Sequence, residues 1–251
     1  MKRALVIGAS HSLGSALAGR LAADGWSVTG TGRRPAEEVE DASAFDYVRL
    51  DLSDNAEVER FVERAGGGPY DLIVHNAVTY GAMSGQPVPE LDALETMFRV
   101  NALVPYRLLH GLLAAQPADR HCNCVVINSD SIYHSTPQTA GYAASKAALR
   151  VLTASLATLF RPAAVSVATL LLGPLPDPKK LENFQQVADR HGVEAAEVRR
   201  RFLRKANPWY VIDDLIDFDA CYRSVAYLAD LGPSANGMMC RLDGGSAGSL
   251  I

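Results

Sequence analysis

The order in which strand-like and helix-like segments alternate constrains the fold of this chain more than any other feature. Short apolar runs rich in valine, isoleucine and leucine alternate with longer segments that have helical periodicity. Continuous apolar runs are typical of strands buried on both faces. A repeated strand-helix order in turn predicts parallel strands joined by right-handed crossovers. We therefore predict an α/β fold with a doubly wound parallel sheet and helices on both faces.

The predicted elements define one Rossmann-type domain over residues 1–251. Strands are predicted at 4–7, 27–31, 47–50, 71–75, 124–128 and 165–172, and helices at 13–23, 56–65, 91–115 and 142–160. The stretch 174–213 departs from this alternation, because three prolines lead into two short helices that no strand directly follows. We interpret 174–213 as a small helical lid over a substrate site.

Composition limits the classes of function. The net charge is −4 and the sequence contains no long basic block, so we expect no nucleic-acid or membrane partner. The first apolar run is too short for a secretory signal, and the four cysteines include no Cys-x-x-Cys, which favours free thiols in a cytoplasmic protein. His121, Cys122 and Cys124 fall short of four zinc ligands, so we expect no metal site.

A glycine-containing turn joins the first predicted strand to the first helix. Backbone N–H groups and a helix N-terminus in this context can bind a pyrophosphate. An ordinary strand-to-helix turn would also explain the glycines. The candidate cofactor-binding residues of this turn are Gly8, Ser10, His11, Ser12, Leu13 and Gly14.

A tyrosine and a lysine share one face of the predicted helix 142–160. Tyr142 and Lys146 are four residues apart, so their side chains can reach the same substrate atom. A tyrosine titrates near ~10 in the absence of neighbours, and an adjacent ammonium lowers that pKa. The pair predicts proton exchange with a substrate oxygen near neutral pH.

These motifs together resemble the short-chain dehydrogenase/reductase family, in its shorter branch with Tyr-x-x-x-Lys. The glycine turn resembles Gly-x-x-x-Gly-x-Gly, with Ser12 in place of the middle glycine. Ser129 lies thirteen positions before Tyr142, like the family's serine at a strand end, and Ser131 is the alternative to it. Asn101 matches the asparagine that interrupts a long helix in the family.

The resemblance implies a catalytic set of Asn101, Ser129, Tyr142 and Lys146. In the family, the serine and tyrosine hold the substrate oxygen, the lysine lowers the tyrosine pKa and binds the nicotinamide ribose, and the asparagine orders a water. The implied reaction interconverts a ketone or aldehyde and an alcohol by hydride transfer. A catalytically silent NADP(H)-binding regulator and a dehydratase or isomerase on the same fold remain alternatives.

The end of the second predicted strand favours NADP(H). Arg33 and Arg34 stand where an NAD-binding fold would carry an acidic residue, and a guanidinium matches a 2′-phosphate in charge and geometry. His75 is expected to be a hydrogen-bonded residue at a strand end and not a base. The resemblance further implies cofactor contacts at Asp51, Leu52, Asn76, Ala77, Tyr142, Lys146 and Gly173, although the family's threonine after Gly173 is missing.

The sequence leaves the substrate open beyond a small carbonyl or alcohol. The basic residues Arg200, Arg201 and Arg204 either form a solvated face or meet an acidic or carrier-bound substrate. Tyr210 either anchors the lid or, with Trp209, closes over the substrate. Further pocket-lining candidates are Tyr80, Met83, Tyr133, His134 and Trp209. The family usually assembles as dimers or tetramers, so we expect a homodimer or homotetramer.

Overall fold

The sheet has seven strands that are all parallel to their neighbours. The computed structural model describes residues 1–39, 43–65, 68–81, 88–160 and 165–246. The strand order is β3-β2-β1-β4-β5-β6-β7, which confirms the predicted doubly wound sheet. The strands are β1 Arg3–Ile7, β2 Ser27–Gly32, β3 Asp46–Arg49, β4 Leu72–His75, β5 Cys122–Ser129, β6 Val165–Leu172 and β7 Met239–Leu242.

Helices cover the two faces of the sheet, and two further helices lie in the segment 174–213 that is predicted to be a lid. They are α1 Ser12–Ala23, α2 Asn55–Ala65, α3 Leu91–Phe98, α4 Val104–Ala114, α5 Ala140–Leu159, α6 Pro178–His191, α7 Ala195–Ala206 and α8 Phe218–Asp230. A π-helical turn over Arg99–Leu103 joins α3 to α4. The segment predicted as one helix over 91–115 is therefore helical from α3 to α4, with a π-helical turn around Asn101.

Alternate side chains of each buried strand enter two separate cores. In β1, Val6 belongs to the core shared with α1 and α8, whereas Leu5 belongs to the core shared with α2, α4 and α5. Each of these side chains is fully buried. Burial of a side chain of this size stabilises a fold by about 2 kcal/mol. The strands are therefore apolar on both sides because both of their faces are buried, as predicted.

The carboxyl ends of the strands meet at one edge of the sheet. The register aligns Ile7 of β1 with Thr31 of β2 and with His75 of β4, and His75 in turn with Val126 of β5. In open α/β sheets, ligands bind beyond this edge at the point where the strand order reverses. Here that point lies between β1 and β4.

The lid consists of α6 and α7, which pack against each other. The rings of Phe184 and Phe202 lie 5.1 Å apart between their centroids, and Leu203 is buried. The carboxylate of Asp177 accepts a hydrogen bond from the Lys179 N–H and caps α6. In the described parts of the chain, no helix is long and apolar enough to span a bilayer, and no three metal-ligating side chains form a group.

Candidate functional site

The glycine turn is held by close backbone contacts at the sheet edge. The N–H groups of Gly8 and Ala9 donate to the Thr31 carbonyl at 2.8 and 2.7 Å. A Cβ on Gly14 would lie 1.8 Å from the Gly8 carbonyl oxygen, so the first turn of α1 has no room for a side chain there. This close approach leaves the N-terminus of α1 open to a phosphate group.

Asn76 and Ala77 support the glycine turn from β4. The Asn76 side-chain amide donates to the Gly8 carbonyl at 2.9 Å. A Cβ on Gly8 would lie 2.5 Å from the Ala77 nitrogen, and Gly8 has a φ of 90°. The structure therefore places both predicted cofactor residues against the turn itself.

The remaining residues of the turn divide between backbone and side-chain roles. The Leu13 side chain is buried in the core with α1, so only its backbone faces the site. The Ser10 hydroxyl lies 3.2 Å from His11 Nδ1, and Ser10 is buried whereas His11 is exposed. His11 is the most accessible side chain of the turn.

Ser12 has a left-handed backbone conformation, with a φ of 54°. It is the sole non-glycine residue with a positive φ in the described ranges. Glycine adopts this region without a steric penalty, whereas other L-residues pay about 1–2 kcal/mol. The backbone thus explains why the family pattern has glycine at the position that Ser12 occupies.

Replacement of Ser12 with glycine is expected to stabilise the protein by up to about 1 kcal/mol, the relief of left-handed strain minus the entropy of glycine. Urea denaturation measures the change. Ala16→Gly, in the regular interior of α1, is the matched control and should destabilise by about 1 kcal/mol. Equal destabilisation by the two glycines would contradict strain at Ser12.

Arg33 and Arg34 follow β2 directly, beside the turn after β3. Within the described residues, neither guanidinium forms an ion pair with a carboxylate. Burial acts to raise the pKa of Asp51, but hydrogen bonds from Ser53 and the charges of Arg33 and Arg49 outweigh it and lower that pKa. Arg33 therefore lies near Asp51.

Other contacts complete this end of the site. The Tyr47 hydroxyl donates to the Arg34 carbonyl at 3.0 Å, and Leu52 is buried in the core. Arg33 is exposed and Arg34 is partly exposed. Arg33, Arg34 and Asp51 thus form one polar group at the β2 side of the switch point.

Lys146 extends from the buried face of α5 to β5. It is 3% exposed, and its Nζ donates to the Ile127 carbonyl at 3.0 Å. The Asn128 amide donates to the Lys146 carbonyl at 3.1 Å, which ties this turn of α5 to the same strand. Burial lowers the pKa of Lys146 to about 7. The ammonium is therefore held at the strand end at a cost in desolvation.

Tyr142 lies one helical turn before Lys146, and its hydroxyl is near the Ser129 side chain. Burial raises the pKa of Tyr142 well above its usual value, and the neighbouring Tyr80 and Asp130 act in the same direction. The Ser129 hydroxyl opposes them. The expected lowering of this pKa by Lys146 is not found here, because burial raises the pKa more than the Ser129 hydroxyl lowers it.

Ser129, and not Ser131, is the serine that contacts Tyr142. The Ser131 hydroxyl donates to Ser129 Oγ at 2.9 Å, and the Ser131 N–H donates to the same oxygen at 3.2 Å. Ser131 therefore fixes the position of the Ser129 hydroxyl through these two hydrogen bonds. The turn after β5 brings the two hydroxyls together because a short 3-10 helix over Asp130–Ile132 reverses the chain.

Asn101 is buried in the π-helical turn and bridges two segments. Its side-chain oxygen accepts from the Thr79 N–H at 2.8 Å, and its amide donates to the Thr79 carbonyl at 2.8 Å and to Ser145 Oγ at 3.0 Å. These bonds fix the loop after β4 against α5. The structure thus brings Asn101, Ser129, Tyr142 and Lys146 to one edge.

Asp130 is a residue of the site that the sequence analysis did not identify. It is buried, and its carboxylate accepts from the Tyr210 hydroxyl at 2.5 Å and lies 3.3 Å from His134 Nε2. Tyr210 is thereby anchored to the end of β5, which favours the anchor interpretation over the closing one. The signal in the sequence was a carboxylate directly after the candidate Ser129.

The lid adds a cation to this region. Lys180 Nζ donates to the Leu175 carbonyl at 3.0 Å. Burial lowers the pKa of Lys180, and the charges of Asp177 and Asp130 oppose that change. Lys180 therefore lies close to the carboxylates of Asp177 and Asp130. Because Asp130 is distant in the sequence, only the folded chain shows this proximity.

Among the predicted pocket residues, Tyr80 lies against the ring of Tyr142. Its ring centroid is 4.9 Å from that of Tyr142, with 31° between the planes, and Tyr80 is 63% exposed. His134 contacts Asp130 as described. Met83 falls in 82–87, outside the described residues.

Other predicted residues lie elsewhere or are engaged with neighbours. The Tyr133 ring lies against the guanidinium groups of Arg150 and Arg241. Trp209 is 64% exposed. Gly173 abuts Asp243 at the end of β7, where a Cβ would lie 2.9 Å from the Asp243 carbonyl.

The basic residues of α7 are paired with carboxylates on the lid and its flank. Arg200 and Arg201 both form ion pairs with Glu197, and Arg204 pairs with Asp213. All of these pairs are exposed to solvent, so each contributes little stability. They form a solvated face in the present arrangement.

His75 corrects one expectation. It is fully buried at the end of β4, but neither ring nitrogen has a hydrogen-bond partner in the described part of the chain. The sequence predicted a hydrogen-bonded histidine. The described part of the structure therefore contradicts that expectation.

Comparison with known proteins agrees with this geometry. Residues 2–184 match the family model described as short chain dehydrogenase. A putative ketoacyl reductase of the granaticin polyketide synthase from Streptomyces violaceoruber is 33% identical over 78% of this chain and 82% of its own length.

Solved structures show the same fold over the whole chain. A short chain dehydrogenase family protein from Francisella tularensis superposes with a TM-score of 0.81, at 18% identity, over 99% of this chain and 100% of its own. A variant of actinorhodin polyketide ketoreductase, solved with NADPH, superposes with a TM-score of 0.79, at 21% identity, over 99% and 98%. The chain therefore belongs to the short-chain dehydrogenase family, a family of nicotinamide-dependent oxidoreductases.

Proposed function

We propose that this protein is an NADP(H)-dependent ketoreductase that interconverts a ketone or aldehyde and an alcohol. The observation that carries the proposal is the buried Lys146, which lies one helical turn after Tyr142 and donates from Nζ to the Ile127 carbonyl, on the strand that ends at Ser129. Two hydroxyl groups and an ammonium beside a nucleotide-type turn are the set needed to bind a carbonyl oxygen and protonate it.

The site fits a dinucleotide of the NADP type. Gly14 has no space for a Cβ beside Gly8, and the N-terminus of α1 opens at this cradle. Arg33 and Arg34 supply two cations, free of carboxylate partners in the described ranges, where a 2′-phosphate would lie. When bound, such a cofactor supplies or accepts the hydride. Lys146 would hold the ribose hydroxyls near the reacting carbon.

The proton chemistry of Tyr142 favours reduction. Burial and the nearby Tyr80 and Asp130 raise its pKa, so the phenol keeps its proton at neutral pH. A protonated phenol can donate to an oxygen that gains negative charge as the carbonyl is reduced. Ser129 holds the same oxygen in place.

Two relatives bear names that agree with this reaction. One is named as a putative ketoacyl reductase, and another is a polyketide ketoreductase solved with NADPH. We therefore extend the proposal to a carbonyl substrate that is small or attached to a carrier. Exposed apolar side chains on α5, Val151 and Leu159, support assembly as a homodimer or homotetramer.

The cofactor assignment is tested by fluorescence titration with NADPH and NADH. We expect NADPH to bind at least ~10-fold more tightly, and Arg33→Ala/Arg34→Ala to lose about 1.4 kcal/mol or more of this preference. The control, Arg200→Ala/Arg201→Ala, removes the same charge from the lid and should keep the preference. Equal binding of the two nucleotides by the wild-type protein would refute the assignment.

Activity separates the proposal from its two alternatives. A reductase oxidises NADPH in the presence of a panel of activated ketones and quinones. A regulator binds the nucleotide but turns over none of the panel. A dehydratase or isomerase forms product without any change in nucleotide absorbance.

A further inference from the structure

His75 is a buried polar side chain for which the described part of the chain provides no hydrogen-bond partner. It is fully buried, and both Nδ1 and Nε2 lack a hydrogen-bond partner in the described ranges. A buried polar group left without a partner costs about 1–3 kcal/mol, whereas an apolar side chain of the same size costs nothing of this kind. Packing alone therefore does not explain a histidine at this position.

The register places His75 beside the Lys146 ammonium. Ile73 lies in the core with α4 and α5, and His75, two residues later, points to the same face. His75 is aligned with Val126 of β5, and Lys146 Nζ binds the carbonyl of the next residue, Ile127. The imidazole and the ammonium thus approach the same strand end from the same side.

The imidazole stays neutral in this position. Burial, and secondly the charge of Lys146, lower the pKa of His75 to about 3. A neutral imidazole has one N–H donor and one nitrogen that accepts. Near neutral pH, His75 therefore offers an acceptor that no described residue uses.

Two polar side chains near Lys146 are already hydrogen-bonded to other groups. The Asn101 amide donates to the Thr79 carbonyl and to Ser145, and its oxygen accepts from the Thr79 N–H. The Ser145 hydroxyl donates to the Tyr142 carbonyl at 2.7 Å. His75 differs from both, because its ring nitrogens have no hydrogen-bond partner among the described residues.

We propose that His75 is a positioning residue for Lys146, which accepts a hydrogen bond from the ammonium through one bridging water and keeps the lysine protonated. A polar site of this kind can hold a water with two to four partners. The acceptor stabilises the charged form of Lys146 and so opposes the effect of burial on its pKa. This role rests on the proposed function, because it affects the reaction only through Lys146.

The test measures the pKa of Lys146 itself, without substrate or cofactor. The sequence contains five lysines, so ε-¹³C-lysine NMR gives few signals, and Lys146→Met identifies the signal of interest by its loss. His75→Leu should lower the Lys146 pKa by about one pH unit. His75→Asn, whose amide can still accept, should keep most of the wild-type value.

Thr31→Val is the matched control, because Thr31 Oγ1 is also buried without a partner but lies on β2. It should leave the Lys146 pKa unchanged. An unchanged pKa in His75→Leu, or an equal fall in the Leu and Asn variants, would overturn the proposal. His75→Met replaces the leucine variant if that variant fails to fold. Failure of the ketoreductase proposal would appear separately, as nucleotide binding without turnover.

Discussion

Replacing Tyr142 with phenylalanine is expected to reduce carbonyl-dependent NADPH oxidation about 10³-fold while nucleotide binding is retained. The variant removes the proton donor and one of two hydroxyls that hold the substrate oxygen, and each role contributes about 10²–10⁴-fold. The ring itself stays in place against Tyr80. Steady-state kinetics and NADPH titration on the same preparation measure the two quantities.

The matched control for this experiment is Tyr227→Phe. Tyr227 lies on α8 and is 51% exposed, so loss of its hydroxyl should leave kcat within about twofold of wild type. If Tyr142→Phe kept a tenth or more of the wild-type turnover, the proton would come from another group. The hydroxyl of Tyr80 would then be the first to examine, because it too is hydrogen-bonded to Tyr142.

The strands were predicted from apolar runs in the sequence. The predicted strand bounds are wrong where polar residues form part of a strand. β5 begins at Cys122, whereas the apolar run predicted residue 124. Asn123 is accommodated because its side-chain oxygen accepts from Ser166 Oγ, on the neighbouring β6, at 2.9 Å. Such a partner, 43 residues away, has no signature in the local sequence.

The arrangement of the candidate site was predictable where spacing decides geometry. Tyr142 and Lys146 share a helix face because four residues make about one turn. Ser12 was marked as a departure from glycine, and its φ of 54° supplies the physical reason. The interruption of the long helix at Asn101 was implied by the resemblance and is present as a π-helical turn.

Contacts between distant segments were not predictable from local pattern. The bond from Tyr210 to Asp130 joins residues 80 positions apart, and only the folded chain brings them together. Likewise, only the folded chain shows that the His75 ring nitrogens have no partner among the described residues. A sequence pattern can indicate that a polar residue is buried, but not which of its neighbours are already engaged.

Replacement of Lys146 with methionine is expected to stabilise the fold by about 3 kcal/mol at pH 7 while reducing turnover severely. Burial lowers the pKa of Lys146 from 10.5 to about 7, so the folded state disfavours the charge that the unfolded chain carries. Methionine has a similar length and no charge. Loss of the bond to the Ile127 carbonyl offsets about 1 kcal/mol of the gain.

The pKa of Lys146 determines how the stability gain of Lys146→Met changes with pH. Below the folded pKa of about 7, both states are protonated and the cost of the buried ammonium is fully present. As pH rises towards the unfolded value of 10.5, the unfolded state binds more protons than the folded one, so wild-type stability rises by up to about 1.4 kcal/mol per pH unit. The advantage of Lys146→Met should therefore shrink over this range.

Urea denaturation of the two proteins, from about pH 6 to pH 10, measures the difference directly, since other titrating groups cancel in the comparison. Lys205→Met is the matched control, because Lys205 is exposed on α7, and it should stay within about 0.5 kcal/mol of wild type throughout. A difference for Lys146→Met that does not vary with pH would show that burial does not destabilise the ammonium. The predicted combination, a gain in stability together with a loss of turnover, would mean that the fold keeps a costly buried charge for its reaction.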